Sequence, residues 1–326
     1  MTPDIVFNPA ISFDEKAIAL FQLQAANNPV YQRYLEAINC NPNKVRQLSQ
    51  IPFLPISLFK THAVQTGAYR PQVVFSSSGT TGTNTSYHYV PFVDLYEQSF
   101  HTAFEQFYGP AQNYCVLGLL PNYLERSGSS LVYMAEKLIE WSGHPQSGFY
   151  LYDFERLDQT LRQLEAAGQP VLLLGVTYAL LDFAERFPQP LRHTIVMETG
   201  GMKGRKKELL RSEVHGILKT AFDLEQIHSE YGMTELLSQA YAKHEGLFQT
   251  PHWMKAVLRE EDDPFALHFD TAKPATAALN IIDLANIHSC AFIATEDVAR
   301  LHPSGQFEVL GRMDNTDIRG CSLLAI

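Results

Sequence analysis

Apolar positions along the chain recur first at helical spacing and later in short continuous runs. Between Asp14 and Ala37, Ile18, Leu20, Phe21, Leu23, Tyr31, Tyr34 and Leu35 fall at roughly helical intervals, and Ser12 is placed to cap the helix ahead of Glu15. The pattern predicts a helical N-terminal arm over residues 1–50. Gln72-Val73-Val74-Phe75 reads as a short buried strand. From Tyr114 onward strands and helices alternate: a strand at Cys115–Leu120, helices through Ser130–Glu140 and Leu157–Ala167, and a buried strand at Val171–Gly175. A helix at Tyr178–Phe187, a strand at His193–Met197 and a helix over Lys203–Phe222 follow. That alternation predicts an α/β fold of layered, partly parallel sheets covered by helices, forming a core over residues 51–250. After Pro251 the texture changes to short strands, among them Ala277–Ile282, Cys290–Ala294 and Phe307–Leu310. A smaller, mainly β subdomain with a C-terminal cysteine tail is expected over residues 251–326.

Composition narrows the picture only a little. A chain of 326 residues, 45% hydrophobic and 18% charged, can bury a large core. Its formal charge of -10 argues against a general nucleic-acid surface, so any anionic ligand must be met by a local positive site. Cys40, Cys115, Cys290 and Cys321 show no C-x-x-C spacing, so neither a disulfide framework nor a zinc site is suggested. No basic N-terminal region leads into an apolar run, and no stretch is long enough to span a bilayer. The expectation is a cytoplasmic protein without stable membrane insertion.

Three segments carry chemistry. Ser76-Ser77-Ser78-Gly79-Thr80-Thr81-Gly82 follows the predicted strand at 72–75. Its glycines let the backbone approach an anion, and its hydroxyls add donors without bulk, which suits a polyphosphate cradle. The run is neither a Walker loop nor a dinucleotide fingerprint, and no lysine follows Gly82 closely. Lys60, Lys203, Arg205, Lys206 and Lys207 are candidates to supply that positive charge. The second segment, Tyr231-Gly232-Met233-Thr234-Glu235, holds an aromatic face, a close-approach glycine, a hydroxyl and a carboxylate suited to magnesium. In the third, Thr295-Glu296-Asp297 offers acidic groups for ribose hydroxyls, and Arg312 offers a cation for phosphate or carboxylate. His88, His101, His193, His228 and His252 are read as structural or surface groups, and Ser127-Gly128-Ser129 is no nucleophile elbow.

In their order these segments resemble the adenylate-forming superfamily of acyl- and aryl-CoA synthetases, peptide-synthetase adenylation domains and luciferase-like enzymes. The resemblance runs from about Pro52 to the end. Residues Ile51–Lys60, Tyr123–Met134 and Asp317–Cys321 look like the LuxE-type acyl-protein synthetases within it. The resemblance implies the fold of the N-terminal domain of adenylate-forming enzymes, with ATP and magnesium as cofactors and coenzyme A as a further candidate. A carboxylic acid, expected to be fatty, would be converted to an acyl-adenylate. The acyl group would pass to Cys321 and then to a reductase or carrier protein. Ser77–Thr81 would hold the β- and γ-phosphates, with Ser76 and Gly82 completing the loop, Thr234 the α-phosphate and Glu235 the magnesium ion. Tyr231 and Gly232 would stack on adenine or shape its slot, beside backbone from Thr199, Gly200 and Gly201. Asp297 would bind ribose, and Arg312 would bridge ribose and phosphate. Typical members continue past Arg312 and Asp314 into a small mobile domain that carries a catalytic lysine. This sequence stops at Ile326, so the expectation is an enzyme that works without that lid or borrows one. A ligase resembling phenylacetate-CoA ligase and a non-catalytic nucleotide-binding subunit are the alternatives.

Overall fold

Two six-stranded sheets and a two-stranded hairpin organise the computed structural model, which describes residues 1–77, 85–120, 128–200 and 209–313. The chain begins with helices α1 (Pro3–Val6), α2 (Phe13–Asn27) and α3 (Pro29–Ala37). Ser12 caps α2 as expected, its hydroxyl accepting the Glu15 amide. The continuous helical pattern is nevertheless broken at Asn28. Its side chain accepts the Val30 and Tyr31 amides, and Pro29 opens a new helix at a position where its missing N–H costs nothing. Strand β1 (Leu54–Pro55) leads into a single 3-10 turn at Ile56–Lys60, and β2 (Val73–Ser76) pairs antiparallel with β3 (Tyr87–Val90) as a separate hairpin.

Helix α4 (Val93–Tyr108) then enters the α/β layer. Its strands are β4 (Cys115–Leu119), β5 (Gly148–Phe149), β6 (Val171–Gly175), β7 (Thr194–Glu198), β8 (His228–Tyr231) and β9 (Ala240–Ala242), in the order β5-β4-β6-β7-β8-β9. All neighbours are parallel except β8 and β9. Strands β4 and β6 are buried at every position, which is why they read as unbroken apolar runs rather than alternating ones. Between the strands run α5 (Ser130–Ser142), α6 (Phe154–Ala166), α7 (Thr177–Arg186) and α8 (Arg211–Phe222). The helix expected from Lys203 thus begins only at Arg211 within the described residues, where the Glu213 carboxylate takes up the Leu210 amide at the helix start.

The second sheet is antiparallel apart from its edge. Strands β10 (Met254–Arg259), β11 (Leu267–His268), β12 (Ala275–Asp283), β13 (Phe292–Leu301) and β14 (Phe307–Arg312) form it, and β1 joins β13 in parallel. The strand expected at Cys290–Ala294 is longer and starts later, so Thr295, Glu296 and Asp297 lie within it. The N-terminal helices pack on this sheet. Gln24 donates to the Asn286 carbonyl and accepts the Ala291 amide, while Phe21 and Tyr31 both meet the Phe292 ring. No helix among the described residues is long and apolar enough to cross a membrane.

Candidate active site

Parallel strands deliver their C-terminal ends to one edge, which is where open α/β sheets bind ligands. Two of the expected segments sit there, Thr199–Gly200 beyond β7 and Gly232–Glu235 beyond β8. The second is pinned by the other sheet. Asp283, at the end of β12, accepts the amides of Leu237 and Ser238 at 2.8 and 3.0 Å and the Ser238 hydroxyl at 2.6 Å. Asn286 donates to the Glu235 carbonyl at 2.9 Å. Gly232 leaves little room for a side chain, because a Cβ there would lie 2.5 Å from Oε1 of Glu230, whose buried carboxyl would have to shift.

The hairpin locks onto the same turn. His88 of β3 is buried, and its Nδ1 lies 2.9 Å from the Thr234 carbonyl. Burial holds its pKa down at about 4, so the neutral ring donates that hydrogen bond. Ser77 accepts the Ser86 amide through its hydroxyl and donates its own amide to the Ser86 carbonyl. Ser76 donates its amide to the Gly128 carbonyl at 2.7 Å. Through His88, the hairpin that leads into and out of the hydroxyl-rich loop is fixed to the turn that carries Glu235, the carboxylate expected to hold magnesium. Ser78, Gly79, Thr80, Thr81 and Gly82 themselves lie outside the described residues, as do Gly201, the 203–207 cations and Cys321.

Tyr231 is buried, with its ring against Phe248 and Phe307 and its hydroxyl donating to Asp297 at 2.7 Å. This packing fixes the ring and, through its hydroxyl, positions Asp297. Burial raises the Asp297 carboxyl, and the Tyr231 hydrogen bond and the Arg312 charge oppose that rise. Arg312 is exposed and donates to Glu296 at 3.0 Å, with its Nε 3.8 Å from Asp297. Burial likewise raises Glu235, opposed by the nearby Ser86 hydroxyl and by the charges of Arg312 and Lys60. A single buried carboxylate fits magnesium, which commonly takes one or two protein oxygens beside phosphate and water.

Sequence reasoning missed the ion cluster beside Thr199. Glu198 closes β7, buried, and pairs with Arg211 at 3.0 Å while accepting from Thr177 and from the Gly200 amide. Burial alone would raise its carboxyl. His215, its Nε2 3.7 Å from the carboxylate, and the Arg211 charge outweigh that and hold it down at about 2. Arg211 also donates to the Val309 carbonyl of β14 and lies over Phe248, so it ties the two sheets together behind Tyr231. A carboxylate ending an apolar run was the available signal, since such a charge needs a partner. Thr199 donates its amide to Gly175, and its buried hydroxyl has no hydrogen-bond partner among the described residues. That orphan donor, next to Gly200 at φ +73, fits a polar ligand along this edge.

Compared with family models and with curated proteins, the chain matches none. Solved structures do match. An O-succinylbenzoate coenzyme A synthetase from Bacillus subtilis, in complex with ATP and magnesium, aligns with TM-score 0.50 and 14% identity, over 76% of this chain and 51% of its own. A long-chain-fatty-acid-CoA ligase from Archaeoglobus fulgidus gives TM-score 0.48 and 13% identity over 73% and 51%. A luciferase-like enzyme from the mealworm Zophobas morio gives 0.46 and 14% over 79% and 61%. The chain spans about half the length of the synthetase. It shares with that synthetase a mixed α/β fold with a smaller β subdomain.

Proposed function

We propose that the protein activates a carboxylic acid with ATP and magnesium, forming an acyl-adenylate and pyrophosphate. One observation carries the reading: the hairpin that leads into and out of the hydroxyl-rich loop is held by the His88 bond to the Thr234 carbonyl on the Thr234–Glu235 turn, which follows Tyr231 and its partners Asp297 and Arg312. A carboxylate is a weak electrophile because its charge is delocalised. Its oxygen bonds to the α-phosphorus, the α–β bridging bond breaks, and pyrophosphate leaves. Arg312 and Lys60 place positive charge near the developing negative charge, and the hydroxyl loop would enclose the outer phosphates. Asp297, held by Tyr231, presents a carboxylate for the ribose hydroxyls. Magnesium, held by Glu235, would neutralise phosphate charge.

The LuxE-type resemblance adds that the acid is fatty and that the acyl group moves to Cys321 before reaching a reductase or carrier protein. A second reading, a ligase that uses coenzyme A directly, draws support from the fold shared with a coenzyme A synthetase. Hydroxylamine trapping tests the shared first step: acid- and ATP-dependent hydroxamate is expected, and its absence across fatty and aromatic acids would contradict adenylation. Cys321→Ser separates the two acceptors, because undiminished transfer to soluble thiols would exclude the covalent route.

A further inference from the structure

Strand β8 presents two faces. Tyr231 turns toward Phe248, Phe307 and Asp297, so Glu230 turns the other way, where its cross-strand neighbour on β9 is Tyr241. Tyr241 packs there against Phe107 and Tyr108 of α4. A carboxyl buried on such a face calls for partners. Among the described residues Glu230 has neither a hydrogen bond nor a cation to offset its burial, and the nearby Glu198 charge adds to the deficit. The polar atoms around it are spent elsewhere or left bare. Tyr96 donates its proton to the Ser130 carbonyl at 3.0 Å, and the Tyr108 hydroxyl bonds His228 Nδ1 at 3.1 Å. The Tyr241 hydroxyl and Gln239 Oε1 have no partner among the described residues, although the two side chains are only 2% and 4% exposed.

These bare groups border the candidate active site. A Cβ on Gly232 would meet Glu230 Oε1 at 2.5 Å and Gln239 Cγ at 3.4 Å, so both side chains lie against the backbone that leads to Thr234 and Glu235. Two residues of chain span at most about 7 Å, which puts the acceptors within a short acid's length of the α-phosphate expected at Thr234. Carboxylate and amide oxygens accept, so the missing partner is a donor. We propose that Glu230, Gln239 and Tyr241 bind a hydrogen-bond donor, a hydroxyl or an ammonium, carried on the chain of the carboxylic acid that is activated. The inference rests on the adenylation reading and specifies the acid: a hydroxy or amino derivative is preferred to a plain hydrocarbon.

The test is acid-dependent exchange of labelled pyrophosphate into ATP by the whole chain. Butanoate, pentanoate and hexanoate are compared with their ω-hydroxy and ω-amino derivatives, and benzoate with para-hydroxybenzoate and para-aminomethylbenzoate. In at least one series the donor-bearing acid should exceed its parent in kcat/KM by about tenfold to a hundredfold, the effect of one hydrogen bond to a charged group. Glu230→Leu and, separately, Gln239→Leu should each lower that ratio by about tenfold. Glu230→Gln keeps an acceptor without the charge, so it should spare a hydroxy acid and penalise an amino acid, which tells the two donors apart. Parent acids that equal or outperform every derivative, or variants that slow parent and derivative by the same factor, would overturn the assignment and mark the three residues as core groups. Absence of exchange with all of these acids would instead overturn the adenylation reading, and this specificity with it.

Discussion

Glu230 gives the most quantitative prediction. It lies in β8, 7% exposed, directly across the strand pair from Tyr241. Burial, and then the Glu198 charge, push its carboxyl from 4.5 to about 8. The folded protein therefore keeps a proton that the unfolded chain has already lost over that interval. Stability from this group is complete below pH 4.5 and disappears as pH rises through about 8. The rise from 4.5 to about 8, at 1.36 kcal/mol per pH unit, corresponds to about 5 kcal/mol in all. About 3 kcal/mol of that falls between about pH 5.5 and 8.5. Glu230→Gln removes the titration. Urea unfolding of both proteins at those two pH values should show the variant gaining about 3 kcal/mol on wild type as pH rises. A stability difference constant to within about 0.5 kcal/mol across that range would refute the argument.

Arg211→Met should remove the guanidinium partner of the buried Glu198 and release β14. A loss near the lower end of about 3–5 kcal/mol is expected from thermal melts, because Arg211 itself is 27% exposed. Arg211→Lys should recover only part of it, since one ammonium cannot match a guanidinium that serves both Glu198 and the Val309 carbonyl. Two glycine substitutions should differ in sign. Gly232→Ala places a Cβ 2.5 Å from Glu230 Oε1 and should cost about 1–3 kcal/mol, whereas Gly216→Ala, in open space on α8, should stabilise by about 0.4–1 kcal/mol. Chemical denaturation of the pair checks both signs.

Much of the α/β layer is legible from local pattern. Val171–Gly175 forms the strand its apolar run predicts, and Ser12 caps the helix it precedes. Boundaries failed where side-chain partners decide them. Asn28 breaks a continuous apolar period by capping α3, and Pro29 was the visible clue. The start of α8 depends on the Glu213 carboxylate meeting the Leu210 amide, a contact that periodicity does not encode. In the site, residue types suggest candidates for nucleotide binding but not what holds those side chains in place. The Tyr231 to Asp297 bond and the Asp283 clasp on Leu237 and Ser238 join residues far apart in the chain. The Glu198–Arg211 pair needed the distance between β7 and the start of α8, which no spacing rule supplies.

The central claim is adenylation, and carboxylate-dependent exchange of labelled pyrophosphate into ATP tests it without requiring the final acyl acceptor. Assayed across fatty and aromatic acids, wild type should catalyse exchange with one acid class. Glu235→Gln should reduce the rate by about 10²–10³, the usual effect of removing one electrostatic contact to the reacting centre. Exchange that is absent with every acid while magnesium–ATP still binds, or exchange indifferent to Glu235→Gln, would contradict the account.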